Sequence, residues 1–157
     1  MKKLVIVDAD HTIRKPSSGG TFAKDPFDQH PINKFIYKDN PDAVFVAVSN
    51  QGGVEAGHKT LNDAINEGLF TLQTQPQLAL YTFIPDFAGT ELWYCWSGDD
   101  FIYYEFDEKG GFRKPDCKAL LTLMNQFSVS KEATLMYGDR DEDEQAAKKA
   151  GIDFIKV

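Results

Sequence analysis

The chain has 157 residues and 17.6 kDa, with 42% hydrophobic, 13% aromatic and 26% charged side chains, which is ordinary globular composition and enough length for one buried core. A formal charge of -7 and a sequence pI of about 4.9 exclude a broad electrostatic grip on nucleic acid or anionic lipid, since such grips need a surplus of Lys and Arg. Two cysteines, Cys95 and Cys117, make neither a zinc cage nor a disulfide scaffold, so a reducing compartment, the cytoplasm, is expected.

In chain order, Leu4 to Val7 reads as a strand, and the apolar run stops at Asp8 and Asp10 with no small-residue cleavage pattern, so it is not a signal peptide. Arg14 to Asn40 is polar and turn-rich. Ala43 to Val48 is a second strand, and Val54 to Leu72 has helical spacing, with Leu61, Ile65, Leu69 and Leu72 in register. Leu78 to Ile84 is a third strand. Glu91 to Phe106 reads as an aromatic hairpin around Ser97-Gly98-Asp99-Asp100, a lid or stacking platform in one reading and plain hairpin core in the other. Asp116 to Phe127 is a helix with Leu120, Leu123, Met124 and Phe127 on one face; Thr134 to Tyr137 is a strand, Glu142 to Ala150 a helix, and Phe154 to Val157 a strand. Strands alternating with helices, and nearly continuous in their apolar character, predict an α/β fold of three layers, Rossmann-like, with a mainly parallel sheet and a small hairpin insertion. One domain over residues 1–157 is expected, and no apolar stretch approaches the ~20 residues that cross a membrane.

In such folds ligands bind beyond the carboxyl ends of the strands, so the residues placed there carry the chemistry. After the first strand stand Asp8, Asp10, His11 and Thr12; after the second, Ser49-Asn50-Gln51-Gly52-Gly53; after the strand at Thr134, Gly138-Asp139 and then Asp143; Lys114-Pro115 precedes a helix. Each has an ordinary reading: a solvated strand end, a helix cap and turn, a surface lysine before a helix-starting proline, acids complementing a helix dipole. The last of these suffices for Asp141, Glu142 and Glu144. Together they have another. Acids gathered at one sheet edge call for a cation, and Mg²⁺ prefers oxygen ligands. A hydroxyl, two glycines and a helix N-terminus make a phosphate cradle, and a lysine beside it neutralises phosphoryl charge.

The order of these groups resembles the haloacid dehalogenase (HAD) superfamily of phosphohydrolases, whose pattern is Asp-x-Asp-x-Thr, then Ser/Thr, then Lys, then an acidic pair after Gly-Asp. The resemblance spans nearly the whole chain. It implies an aspartyl-phosphate mechanism with Mg²⁺ as cofactor. Asp8 would be nucleophile and metal ligand, and Asp10 the proton-transfer group, counted with Asp8, Asp139 and Asp143 around the metal. Ser49, Asn50 and Lys114 would hold the phosphoryl group, and Thr12 would steady the loop. Ser49-Asn50-Gln51-x-Gly53-Val54 and Arg113-Lys114-Pro115 are similar to the compact branch that holds polynucleotide 3'-phosphatase, histidinol-phosphatase and heptose-bisphosphate phosphatase. Ser18-Gly19, Phe22, Pro26 and Asp28 look most like the first of these. The expected substrate is therefore a nucleotide or polynucleotide 3'-phosphate end, with a small sugar or amino-alcohol phosphate as the alternative.

The sequence departs from that pattern in three places. His11 stands where most members have glycine. The Cys/His zinc loop of the sugar-phosphate and histidinol-phosphate relatives is missing, so no zinc is expected, and the aromatic hairpin takes its place. No Gly-x-x-x-x-Gly-Lys-Ser/Thr motif occurs, which excludes a fused kinase in this chain. Arg14, Lys15 and Lys24 form a basic cluster at the expected entrance, enough for a phosphorylated small molecule or nucleic-acid end but not for extended nucleic acid. A non-catalytic module binding Mg²⁺ and phosphate, such as a receiver-like phospho-acceptor, is the contrasting hypothesis, and a long-lived acyl phosphate would distinguish it.

Overall fold

The computed structural model describes residues 2–85, 91–97, 100–107 and 111–157, of which 91–97 and 100–107 are described by backbone alone. The elements in order are β1 (Lys3–Val7), β2 (Arg14–Lys15), β3 (His30–Pro31), α1 (Phe35–Asp39), β4 (Ala43–Asn50), α2 (Leu61–Thr74), β5 (Leu78–Ile84), β6 (Glu91–Ser97), β7 (Asp100–Asp107), α3 (Lys118–Phe127), β8 (Thr134–Gly138), α4 (Asp141–Ala150) and β9 (Asp153–Lys156).

The main sheet runs β7-β6-β5-β4-β1-β8-β9. Its five strands from β5 to β9 are mutually parallel, and β6 and β7 add to the β5 edge in antiparallel fashion. The chain builds outward from β1 to β4 and β5, then returns to the other side of β1 with β8. That reversal leaves the carboxyl ends of β1, β4 and β8 side by side at one edge of the sheet.

Alternation along the central strands feeds two cores. Leu4 and Ile6 point into one with Val46, Val48, Leu120, Leu123, Ala146 and Ala147; Val5 and Val7 point into the other with Ala47, Ala64, Leu72, Tyr81 and Phe83. Each fully buried Val, Leu, Ile or Phe side chain contributes about 1.5–3 kcal/mol, in keeping with the unbroken apolar run of β4 before Ser49. The three-layer Rossmann-like arrangement with a mainly parallel sheet is the one expected from sequence. No helix among the described residues is long and apolar enough to cross a membrane.

Three expectations are corrected. The helix predicted from Val54 begins at Leu61, because Gly57 takes a left-handed φ of 81° and Thr60 forms a reciprocal capping box with Asp63. Its fully buried stripe is Ala64, Glu67, Gly68, Thr71 and Leu72, so of the expected register Leu72 is buried while Leu61 and Ile65 pack half-buried against the same core. Gly68 explains the turn of the helix: a Cβ there would lie 2.6 Å from the Tyr81 ring, so only glycine lets α2 approach β5 this closely. The helix predicted from Asp116 begins at Lys118, so Pro115 lies ahead of its first turn. The hairpin extends the main sheet through Tyr81↔Trp96, Thr82↔Cys95 and Phe83↔Tyr94 pairing. Its expected turn residues Gly98 and Asp99, and the side chains that would form a platform, lie outside what the structure describes.

Candidate active site

Asp8 follows the last residue of β1 and its backbone N–H donates to the Tyr137 carbonyl at 3.0 Å, which ties it to the end of β8. Its side chain is almost wholly buried. Lys114 enters from the loop before α3 and is equally buried, with Nζ donating to Asp8 Oδ1 at 2.7 Å, to Asp143 Oδ1 at 2.6 Å and to the Val48 carbonyl at 2.8 Å. Those three bonds use all of its donors. Asn50 holds that lysine's backbone on both sides: Nδ2 donates to the Lys114 carbonyl at 2.8 Å and Oδ1 accepts the Lys114 N–H at 3.1 Å. The Asn50 amide is therefore committed to placing Lys114.

Asp143, at the third position of α4, is buried and accepts the Arg140 N–H at 3.2 Å. Gly138 makes room for it, since a Cβ at that position would sit 2.5 Å from Asp143 Cβ. Thr12 Oγ1 lies 3.2 Å from Asp139 Oδ1 and 3.4 Å from Asp8 Oδ2, linking the β1 loop to the β8 loop. Oxygens of Asp8, Asp139 and Asp143 all lie within 4.8 Å of one another. Such a set of hard oxygen donors, with one lysine among them, fits a divalent cation such as Mg²⁺.

The electrostatics express the crowding. Burial pushes the Asp8 carboxyl up to about 6 against the pull of Lys114, with Asp139 and Asp10 adding to the rise. Burial also raises Asp143, and the Asp8 charge adds to it while Lys114 opposes. Lys114 would be lowered by burial, but the Asp8 and Asp143 charges hold it above its ordinary value.

Asp10 stands apart from this cluster. Its side chain turns to Arg14 Nε, which donates to Oδ1 at 2.9 Å, and to Gln51 Nε2, which donates to Oδ2 at 3.1 Å. Burial would raise Asp10, but the Arg14 charge and hydrogen bond, with Lys59 and Gln51 behind them, hold it at about 2. Ser49, at the end of β4, is buried and its Oγ accepts from Gln51 Nε2 at 2.7 Å. Arg14 is not part of an entrance cluster: it is 2% exposed and is consumed by Asp10, Thr71 and Glu67. The glycines after Ser49 lie on turns rather than at a helix N-terminus, so the cradle expected there has its hydroxyl and glycines without a helix dipole.

His11 takes φ 62°, the left-handed conformation that glycine adopts freely and histidine tolerates better than most residues. That accounts for the glycine of the general pattern, and here the ring gains a bond, its Nε2 lying 3.2 Å from the Thr21 carbonyl. The segment beyond is organised by Asp28, whose carboxylate accepts from the Lys24 N–H, the Ser18 N–H and the Ser18 hydroxyl at 2.7–2.8 Å. These bonds, the Lys24 N–H first, hold Asp28 below its ordinary range. The segment forms one wall of a cavity of about 890 Å³ whose other walls include Asp8, Lys59, Lys114 and Arg140. Phe22, in that wall, is 82% exposed.

Sequence reasoning missed Lys59 and Glu67 as parts of the site and placed Arg14 at its entrance rather than behind Asp10. Glu67 carried a readable signal: a carboxylate in register with Ala64, Gly68 and Thr71 on the inward stripe of α2 needs a buried cation.

The family model described as haloacid dehalogenase-like hydrolase matches residues 100–157. Among solved structures, D,D-heptose 1,7-bisphosphate phosphatase from B. bronchiseptica, complexed with magnesium and phosphate, is 19% identical with a TM-score of 0.72, over 97% of this chain and 78% of that one. A provisional HAD-like phosphatase from Mesorhizobium loti is 16% identical, TM-score 0.64, over 96% and 69%. An uncharacterized protein from Listeria monocytogenes serotype 4b is 14% identical, TM-score 0.56, over 99% and 78%. No curated protein matches the chain in sequence. The carboxyl-terminal part of the chain is thus similar to haloacid dehalogenase-like hydrolases in sequence, and the chain as a whole shares the fold of the phosphatases above.

Proposed function

We propose that this chain, acting as a single domain over residues 1–157 in the cytoplasm, is a Mg²⁺-dependent phosphomonoesterase that works through a phosphorylated Asp8. The observation that carries the reading is the meeting of Asp8, Asp143 and Lys114 at the end of β1, with bonds of 2.7 and 2.6 Å from one ammonium to two carboxylates. The relative solved with magnesium and phosphate supports it by its fold and by what it was found to hold.

Asp8 attacks phosphorus as the bond to the leaving oxygen breaks, and Asp10 gives that oxygen its proton. Water then displaces phosphate from Asp8, returning a proton to Asp10. In the free protein Asp10 is ionised beside Arg14, so the proton it gives to the leaving oxygen must be taken up from solvent as substrate binds, and its ionised form then accepts one from the attacking water. Lys114 and Ser49 face the phosphoryl oxygens, and Asn50 acts through its grip on the Lys114 backbone. Asp8, Asp139 and Asp143 would hold Mg²⁺, which when bound offsets the repulsion between carboxylate and phosphate.

The substrate we favour is a nucleotide or polynucleotide 3'-phosphate. An exposed Phe22 in the cavity wall, with Lys15 and Lys24 on the same segment, offers a base one stacking face and a phosphodiester two cations. A small sugar phosphate is the second reading, favoured by the heptose-bisphosphate relative. The test is phosphate release from 3'- and 5'-phosphorylated oligonucleotides, histidinol phosphate, a heptose bisphosphate and an aryl phosphate, with Mg²⁺ or EDTA and with Asp8→Asn as control. Selective release from 3'-ends, with KM raised by Phe22→Ala on oligonucleotides alone, supports the favoured substrate. Preference for a metabolite retires it, and release no faster than by Asp8→Asn leaves a binding module.

A further inference from the structure

Behind the candidate acid lies a closed ring of side chains that the reaction as written above does not use. Arg14 Nε donates to Asp10 Oδ1 at 2.9 Å, and its NH2 donates to Glu67 Oε1 at 2.7 Å. Lys59 Nζ donates to Glu67 Oε2 at 3.1 Å and to Gln51 Oε1 at 2.8 Å. Gln51 Nε2 closes the circuit on Asp10 Oδ2 at 3.1 Å. Both oxygens of Asp10 are thereby fixed by donors from two different elements of the chain. The guanidinium is fixed in turn by Thr71 Oγ1 at 2.7 Å and by the Tyr81 ring, whose centroid lies 5.3 Å away. Two acids and two bases alternate around the ring, so it adds no net charge to the site.

A fully buried arginine is expensive unless its fork is matched, and here three of its N–H groups meet three acceptors. Glu67 and Thr71 sit one turn apart on α2, brought near by the Gly68 approach to Tyr81. A surface pair four residues apart, as Asp10 and Arg14 are in sequence, needs no such backing. The construction therefore has an orientation to enforce.

We propose that Arg14, backed by Glu67, is a positioning residue that aims the Asp10 carboxyl at the leaving-group oxygen. This rests on the phosphomonoesterase reading, and the experiment separates the two. Arg14→Lys keeps the charge but cannot span Asp10, Thr71 and Glu67 together; Glu67→Gln keeps the volume and loosens Arg14 without touching Asp10. Each is compared with wild type on an aryl phosphate, whose phenoxide leaves without needing a proton, and on an alkyl phosphate, whose alkoxide does need one. Loss of an aimed proton donor shows as a kcat for the alkyl ester falling about tenfold or more beyond that for the aryl ester, within the range general acid catalysis supplies. KM should move little for either, and Mg²⁺ should still raise the Tm of both variants, because Asp8, Asp139 and Asp143 are untouched. A smaller selective loss is expected for Glu67→Gln, the milder of the two changes, and circular dichroism with thermal unfolding checks that each variant is folded.

Equal losses on the two esters, with wild type active, would show that the ring merely supports the fold and overturn the proposal alone. Absence of Mg²⁺-dependent release by wild type would overturn the reading of the site and this inference with it.

Discussion

Removing the charge of Asp8 should make the metal-free protein more stable while it abolishes turnover. Burial holds the Asp8 carboxyl at about 6, up from 3.8, even with Lys114 at 2.7 Å. Between those values the folded chain keeps a proton that the unfolded chain has released, so stability falls as pH rises through the window. About two pH units at 1.36 kcal/mol each put the cost of ionised Asp8 at about 3 kcal/mol above pH 6. Asparagine keeps an oxygen for Lys114 and approximates the protonated acid, so Asp8→Asn recovers about 1–3 kcal/mol at pH 7.5. For a chain of this length that is a rise in Tm of about 2–10 °C. The assay is thermal unfolding in EDTA from pH 4 to 8: the gap between variant and wild type opens through pH 4–6 and vanishes near pH 4. Excess Mg²⁺ should narrow or reverse the gap, because a bound cation favours the ionised form. A variant less stable than wild type in EDTA at pH 7.5, or a gap independent of pH, would refute the reasoning.

Lys114→Met leaves Asp8 and Asp143 buried without their shared cation, so a loss of about 3–5 kcal/mol is expected by urea denaturation, the opposite sign to Asp8→Asn. Gly138→Ala drives a methyl to 2.5 Å from Asp143 Cβ and should cost about 1–3 kcal/mol, together with a weaker rise in Tm on adding Mg²⁺. Asp10→Asn should slow turnover while a phosphorylated Asp8 accumulates and decays slowly, which is visible by intact-protein mass spectrometry under acid quench.

Much of this was legible because the relevant signals were local. The apolar runs located β1, β4 and β8, and the order of the polar groups after them, read through the family resemblance, singled out Asp8, Asp139 and Asp143. What sequence could not give was partnership across the fold. Arg14 read as an entrance cation because a lone arginine in a polar segment is ordinarily solvated; its burial depends on Glu67 and Thr71, more than fifty residues away. Likewise α2 turned its leucines partly outward because one glycine met one tyrosine, a contact that helical periodicity does not encode. His11 looked like a departure at the level of residue type, yet it takes the left-handed backbone conformation that the usual glycine adopts freely, with only the side chain added.

The charge balance of the polar floor makes one further demand on the mechanism. Among the described residues, Asp8, Asp10, Asp143 and Glu67 form their ion pairs there with Arg14, Lys59 and Lys114, Asp139 stands beside them, and each of those three cations is already held by carboxylates. A phosphate entering this floor meets committed donors and net negative charge, and no lysine can turn to it without abandoning a buried acid. At short range such repulsion amounts to several kcal/mol even with an effective dielectric constant of about 20. A divalent cation among Asp8, Asp139 and Asp143 would cancel that net negative charge and also relieve Lys114 of two acids it would otherwise have to neutralise alone. Binding of phosphate or a tetrahedral analogue should therefore be strongly cooperative with Mg²⁺, each tightening the other by the same factor. Calorimetric titration of orthovanadate in EDTA should give no measurable heat, and the same titration in Mg²⁺ should give one site per chain. Equal vanadate affinity with and without the metal would mean that Lys114 or the rim cations hold the anion by themselves, and the charge argument would fail.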